Sequence, residues 1–240
     1  MTRIIAHRGY AGKYPENTLL AFKEAAKFPI YGLELDVHLS KDKIPVICHD
    51  ERIDRTSNGS GWIKDMTLDQ LKSYQFNQTF PQYHEDVALP SLEEFLIWFQ
   101  DQAPLIVNIE LKTNIIDYPG LNQAVNQLIQ DYQVEDRVLI SSFNHHSIQD
   151  FQTINSDLDF AFLTGCSLLN PGKYCQTYQA TAYHPHYLGL RPEDLEDCHQ
   201  ARIAINPYTP DDPQAMKKLE AMGVSAIITN QVELALDVLS

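Results

Sequence analysis

Short apolar runs alternate along most of the chain with longer segments in which apolar residues recur every three or four positions. The short runs predict buried β-strands, and the longer segments predict amphipathic helices that pack on them. The predicted strands are residues 3–7, 32–38, 105–111, 137–143, 159–163, 180–183, 202–206 and 224–229. The predicted helices are residues 17–27, 92–99, 121–132, 145–154, 191–199, 213–222 and 231–239.

Strands that alternate with helices predict a parallel sheet covered by helices, and therefore an α/β fold. Eight such units in 240 residues match the size of a TIM (β/α)8 barrel. A doubly wound open sheet is the alternative. We place it second because Gly9 and Gly12, which follow the first strand, do not form the glycine-rich turn of a dinucleotide-binding fold.

One segment interrupts the alternation. After a short extended run at residues 44–48, residues 50–90 show no strand–helix rhythm apart from a short helix predicted at 67–74. A loop of that length inside a compact domain needs a purpose. We therefore interpret the chain as one barrel domain, residues 1–240, with a small insertion subdomain at residues 50–90 after the second strand.

Charge and composition narrow the classes of partner. The formal net charge is −14, which argues against non-specific nucleic-acid binding and means that an anionic substrate needs local positive charge. No apolar run approaches the ~18 residues of a membrane span, and the start of the chain does not resemble a signal peptide. The four cysteines form no Cys-x-x-Cys pair, which suits a reducing compartment. A cytoplasmic location is expected.

Ionisable residues cluster where the first predicted strands end. His7 and Arg8 end the first strand, Glu34 and Asp36 lie late in the second, and Glu110 and Lys112 end the third. Residues two apart on a strand share one face, and barrel active sites lie at the carboxyl ends of the strands. Each residue also has a simpler interpretation, as a surface histidine, a solvated strand face or an ordinary ion pair. Their recurrence at corresponding positions favours an active site.

A second histidine, His49, is followed by Asp50 near the end of the extended run. Two histidines can act as general acid and general base near neutral pH. Carboxylate oxygens that share one face can bind a hard divalent cation. Together with a nearby cation, these are the groups that cleavage of a phosphodiester requires.

The motifs resemble, in order and spacing, those of the glycerophosphodiester phosphodiesterase family over nearly the whole chain. They are His7-Arg8-Gly9, Pro15-Glu16-Asn17-Thr18, Glu34-Leu35-Asp36-Val37, Lys41-Asp42, Pro45-Val46, His49-Asp50, Pro90-Ser91-Leu92-Glu93-Glu94, Asn108-Ile109-Glu110-Leu111-Lys112, Ser141-Ser142-Phe143 and Gly223-Val224. The resemblance implies that His7 and His49 are the catalytic acid and base. It implies that Glu34, Asp36 and Glu110 bind Mg²⁺ or Ca²⁺, and that Arg8 and Lys112 contact the substrate phosphate.

The carboxyl-terminal half departs from the family pattern at two places. Tyr208 stands where the family commonly has a tryptophan, so it either borders the substrate or simply packs on Pro207 and Pro210. The last strand ends in Thr229-Asn230, where the family commonly has Thr-Asp. This difference puts any supporting role of that acid in doubt.

The expected function is metal-dependent hydrolysis of a small glycerophosphodiester to sn-glycerol 3-phosphate and an alcohol. The alternatives are a phospholipase D-like or lysophospholipase D-like enzyme on the same barrel, and a binding protein whose catalytic site has decayed. An amidohydrolase-type barrel would need a His-x-His pair at the first strand, which His7-Arg8-Gly9 lacks. The sequence does not determine which alcohol is released, which metal binds, or which histidine is the acid and which the base. It also leaves open the oligomeric state and whether the reaction passes through a cyclic intermediate or direct attack by water.

Overall fold

Eight parallel strands form a nearly closed barrel in the computed structural model, which describes residues 1–239. The strands are β1 (Arg3–Ala6), β2 (Gly32–Leu39), β4 (Ile106–Leu111), β5 (Val138–Ser142), β6 (Asp159–Thr164), β7 (Ala182–Pro185), β8 (Ala204–Ile205) and β9 (Ala226–Thr229). A ninth strand, β3 (Pro45–Ile47), pairs antiparallel with β2. The order β8-β7-β6-β5-β4-β2-β1-β9 confirms the predicted TIM barrel over the open sheet.

β8 and β9, at the two ends of this strand order, approach each other and nearly close the barrel. The backbone N–H of Ser225 donates to the carbonyl of Ile205 at 2.9 Å, and that of Ile228 donates to the carbonyl of Pro207 at 3.0 Å. The carboxyl ends of all eight parallel strands therefore surround one mouth.

Helices cover the outside of the barrel. They are α1 (Leu19–Ala25), α2 (Leu68–Lys72), α3 (Leu92–Phe99), α4 (Leu121–Asp131), α5 (His145–Ile154), α6 (Pro171–Thr177), α7 (Pro192–Ala201), α8 (Pro213–Met222) and α9 (Val232–Val238). The sequence pattern did not predict α6, a short helix that contains Gly172 and few apolar residues. Among residues 1–239 no helix is both long enough and apolar enough to cross a membrane.

Several predicted boundaries were wrong, and local backbone geometry explains them. Asn17 has a left-handed backbone, with φ of 57°, so α1 begins later, after the N-cap Thr18 accepts from the Ala21 N–H. Arg202 is also left-handed, with φ of 60°, and ends α7, so β8 begins at Ala204. The predicted strand at 180–183 is displaced toward the carboxyl terminus, to Ala182–Pro185.

The two faces of each strand have different surroundings. On β2, Leu33, Leu35 and Val37 belong to the main apolar core, whereas Glu34 and Asp36 point the other way. Inside the barrel, Leu139 and two alanines form a separate small apolar cluster near the amino-terminal ends of their strands. The polar groups of the barrel interior are thereby left at the opposite, carboxyl end.

The segment between β3 and α3 packs with Val46 of β3 around an apolar core that is separate from the main one. This core consists of Val46, Cys48, Ile53, Ile63, Leu71, Phe76 and Leu89. Trp62 lies outside it, with 37% of its surface exposed, and the Arg52 guanidinium stacks 5.2 Å from its ring centre. This segment therefore lies on the carboxyl side of β2, next to the mouth of the barrel.

Candidate active site

The residues that the sequence singled out converge at the carboxyl mouth of the barrel. His7 and Arg8 follow β1, Glu34 and Asp36 lie in β2, and Glu110 lies in β4. His49 follows β3. The register of the parallel strands places Asp36 opposite Glu110 and Glu34 opposite Asn108. Side chains 74 positions apart along the chain are neighbours for this reason.

A cavity of about 180 Å³ opens at this mouth. Its polar side is lined by His7, Arg8, Glu34, His49, Asn108 and Glu110, and its apolar side by Phe143, Leu163, Tyr208 and Ile228. The cavity therefore offers a charged half and an apolar half to a small ligand. Asn108, which the sequence analysis quoted only within a motif, is buried here, and its Oδ1 accepts no hydrogen bond from the described residues.

The three carboxylates form a tight buried cluster. Oxygens of Glu34, Asp36 and Glu110 lie within 4.8 Å of one another. Burial, followed by the charge of Asp36, raises the pKa of both Glu34 and Glu110. Burial would also raise the pKa of Asp36, but Lys112 and Arg8 outweigh it and hold that pKa below its usual range. Three converging carboxylates carry a repulsion that a shared cation would relieve.

This cluster fits a divalent cation on the chemistry of its donors. Oxygen ligands suit Mg²⁺ and Ca²⁺. Asp36 Oδ1 is buried and accepts no hydrogen bond from the residues described, although Lys112 Nζ lies 3.5 Å away. Asp36 Oδ2 is held from the other side by the Asn17 amide, which donates to it at 2.8 Å. The cluster could therefore hold a metal ion with one oxygen already oriented and another still available.

Two cations border the carboxylates. Arg8 has a left-handed backbone, with φ of 53°, and its N–H donates to Glu34 Oε2 at 2.8 Å. Its guanidinium donates to Glu16 Oε1 at 2.7 Å and lies 3.4 Å from Asp36 Oδ2. Lys112 donates to Glu110 Oε1 at 2.8 Å and does not line the cavity itself. Of the two residues predicted to contact phosphate, Arg8 therefore lies at the cavity wall, and Lys112 lies behind Glu110.

His7 lies against the carboxylates. Its Nδ1 is 2.8 Å from Asn230 Oδ1, and its Nε2 is 3.8 Å from Glu34 Oε2. Burial, and next the charge of Arg8, lowers the pKa of His7 to about 4. The imidazole is neutral at neutral pH in these surroundings.

His49 is supported by a chain of charged groups. Its Nδ1 lies 2.6 Å from Asp50 Oδ1. Arg55 donates to Asp50 Oδ2 at 2.7 Å and to both oxygens of Glu16, at 2.7 and 2.8 Å. Since Glu16 also accepts from Arg8, the chain links the second histidine to the arginine at the cavity wall.

Nothing in the sequence pattern singled out Arg55. It stands in the irregular part of the insertion, where no periodicity fixes the direction of a side chain. Tyr208, for which the sequence left two interpretations open, lines the cavity. Its hydroxyl donates to the carbonyl of Thr164 at 3.1 Å, and its ring meets Phe143 edge-on with centres 5.7 Å apart.

Known proteins share both the sequence pattern and the fold. Residues 7–234 match the model of the glycerophosphoryl diester phosphodiesterase family. A glycerophosphodiester phosphodiesterase from Caldanaerobacter subterraneus is 38% identical over 232 residues, which cover 97% of this chain and 95% of that protein. One from Bacillus altitudinis is 38% identical over 96% of this chain and 95% of its own length. The structure of an Oleispira antarctica phosphodiesterase, in complex with the product sn-glycerol-3-phosphate, superposes with a TM-score of 0.89 at 25% identity, covering 99% of this chain and 97% of that one.

Proposed function

The chain belongs to the glycerophosphoryl diester phosphodiesterase family, and we propose that it hydrolyses glycerophosphodiesters to sn-glycerol 3-phosphate and an alcohol with the help of a divalent cation. One observation carries the proposal. Two histidines, an arginine and two of the three clustered carboxylates line a single small cavity at the carboxyl mouth of the barrel. This is the set of groups that phosphodiester cleavage requires.

We propose that the three carboxylates and the neighbouring cations together bind the negatively charged phosphate of the substrate. Glu34, Asp36 and Glu110 would hold the cation. When bound, Mg²⁺ or Ca²⁺ would supply positive charge that stabilises the phosphoryl oxygens as the bond to phosphorus breaks. Arg8, at the cavity wall, donates to the same oxygens, and Lys112 holds Glu110 in place from behind.

We assign the proton transfers to His7 and His49. One imidazole accepts the proton of the attacking hydroxyl group, and the other protonates the oxygen of the departing alcohol. Both histidines line the cavity, so each can reach a bound diester. Phe143 and Tyr208 border the apolar half of the cavity and would contact carbon atoms of the substrate.

A lysophospholipase D-like reaction is the second candidate, favoured by apolar side chains around the mouth. Ile115, Leu169 and Leu188 are 67%, 88% and 75% exposed, and they lie on the loops that follow β4, β6 and β7. Loops that follow barrel strands lie on the same face as the active site. An acyl chain attached to the substrate would meet these side chains.

The test is product release from a panel of diesters. Glycerophosphocholine, glycerophosphoethanolamine and lysophosphatidylcholine are incubated with metal-depleted protein and with added Mg²⁺ or Ca²⁺. We expect ³¹P NMR to show glycerol 3-phosphate from the first two, and only when the metal is present. Faster cleavage of the lysophospholipid supports the second candidate. Binding without any product under all conditions contradicts both and identifies a decayed binding protein.

We predict that Arg55 supports catalysis through Asp50 and Glu16. Replacing Arg55 by glutamine removes the charge that holds both carboxylates, so that Asp50 orients His49 less firmly. Residues that orient a functional group without touching the substrate typically contribute about 10–100-fold to activity. We expect kcat/KM for glycerophosphocholine to fall by about 10-fold. The lysine variant should recover only part of the loss, because an ammonium cannot form the same fork of hydrogen bonds.

Arg52 provides the matched control. It lies in the same loop, its side chain is also 43% exposed, and it pairs with Asp54 at 2.9 Å. The Arg52→Gln variant should keep wild-type kinetics. Equal kcat/KM for the two glutamine variants would show that the Arg55 bridge does not matter for the reaction.

A further inference from the structure

His7 depends on one amide for the position of its ring proton. Its Nδ1 lies 2.8 Å from the side chain of Asn230, directly after β9. An asparagine can present either its oxygen, which accepts, or its NH2 group, which donates. The first arrangement requires a proton on His7 Nδ1, and the second requires a lone pair there. The other contacts of the amide must therefore decide which form His7 takes.

Asp211 fixes the orientation of that amide. Asn230 Nδ2 donates to Asp211 Oδ2 at 2.6 Å. The other oxygen, Asp211 Oδ1, accepts from the Asn230 N–H at 2.9 Å and from the Thr229 hydroxyl at 2.8 Å. An ionised carboxylate only accepts hydrogen bonds, so the NH2 group of Asn230 must face Asp211. The amide oxygen then faces His7.

We propose that Asp211 and Asn230 are positioning residues that hold neutral His7 in the tautomer with its proton on Nδ1. The lone pair then lies on Nε2, on the side of Glu34, which lines the same cavity as His7. The 3.8 Å between Nε2 and Glu34 Oε2 is too long for a hydrogen bond, so Nε2 is not committed to that carboxylate. The part of the inference that concerns proton transfer rests on the proposed function.

The fixed tautomer serves either direction of proton transfer. Acting as a base, Nε2 takes a proton from an attacking O–H group and the ring becomes imidazolium. Acting as an acid, the imidazolium returns the Nε2 proton to a departing oxygen and regains the same neutral tautomer. The proton on His7 Nδ1 keeps its hydrogen bond to the Asn230 amide oxygen throughout. In the opposite tautomer the Nδ1 lone pair would face the amide oxygen, and Nε2 could not accept a proton.

This support stands in for one that the Thr229-Asn230 sequence had put in doubt. Asn230 stands where the family commonly has an aspartate, and the acid is supplied here by Asp211, from the loop between β8 and α8. The negative charge of Asp211 therefore acts on His7 through Asn230 and does not contact the imidazole directly. His49 differs in this respect, since Asp50 contacts its ring directly.

The tautomer can be measured without turnover. In protein labelled with ¹⁵N-histidine, long-range ¹H–¹⁵N correlation distinguishes the protonated ring nitrogen from the unprotonated one, and loss of signals in His7→Ala assigns the ring. We expect neutral wild-type His7 to be protonated at Nδ1. A proton on Nε2 in the wild type overturns the inference, whatever the variants show.

The Asp211→Asn variant tests the cause. One oxygen at position 211 can still accept from Thr229 and the Asn230 backbone, but the new NH2 group then faces the Asn230 amide. We expect that amide to rotate and present its own NH2 to His7, which moves the ring proton to Nε2. Because the productive tautomer becomes a minor form, kcat/KM should fall by about 10–100-fold with little change in the thermal midpoint.

Asp212→Asn is the matched control, with the same chemical change at the next position. Asp212 Oδ1 accepts from the N–H groups of Gln214 and Ala215 at the start of α8, and an asparagine can do the same. The Asp212→Asn variant should keep the His7 tautomer and the activity of the wild type. An unchanged His7 tautomer in Asp211→Asn refutes the inference. Tautomers that change as expected in a protein without any diesterase activity refute the proposed function and leave the positioning role intact.

Discussion

Replacing either His7 or His49 by alanine is expected to lower kcat for glycerophosphocholine by about 10²–10⁴-fold, the range that general acid–base catalysis contributes. Each imidazole lines the cavity and has its Nδ1 bound to a separate supporting group, Asn230 for His7 and Asp50 for His49. Neither histidine can substitute for the other, because they approach the cavity from different strands. KM should change much less than kcat.

Steady-state kinetics at saturating metal provides the measurement, with the thermal midpoint as a check on folding. His199→Ala is the control, since His199 is exposed on α7 and does not line the cavity. The double variant should be little slower than the slower single variant, because groups that act in one proton-transfer scheme are not additive. Near wild-type activity in both single variants contradicts the assignment of the catalytic pair.

The strand periodicity predicted the part of the site that lies on the regular barrel. Glu34 and Asp36 share a face because they are two apart, and parallel register then brings Asp36 opposite Glu110. The carboxylate cluster follows from these rules alone, as does its position at the carboxyl mouth. The barrel was ranked correctly over the open sheet because eight strands, most of them followed by a predicted helix, matched its size.

The supporting residues could not be predicted in the same way. Arg55 lies in an irregular loop, and its contacts with Glu16 and Asp50 depend on how the insertion folds around its own apolar core. Asp211 reaches Asn230 only because β8 and β9 are brought together as the barrel closes. Such contacts depend on how loops pack in the folded protein. No periodicity or spacing in a single sequence indicates which loop residues will meet.

The identity of the nucleophile remains to be assigned, and we predict that it is a hydroxyl group of the substrate itself. A glycerophosphodiester carries a hydroxyl group on the carbon next to the one that bears the phosphate. If that oxygen attacks phosphorus, one histidine takes its proton while the other protonates the departing alcohol, and a cyclic phosphate forms. Water then opens the ring by the reverse transfers, which restores both histidines. Direct attack by water on the diester is the alternative.

A diester of 1,3-propanediol, which lacks the neighbouring hydroxyl group, separates the two routes. Effective molarities of well-oriented intramolecular reactions reach about 10⁵–10⁸ M, so the analogue should be cleaved at least about 10³-fold more slowly than glycerophosphocholine. It should still compete with the natural substrate, with an inhibition constant close to the KM of glycerophosphocholine, because its phosphate and head group are intact. ³¹P NMR under single-turnover conditions should also detect the cyclic phosphate with the natural diester. Comparable turnover of the two diesters would mean that water attacks directly, and that the small cavity orients water rather than the glycerol hydroxyl group.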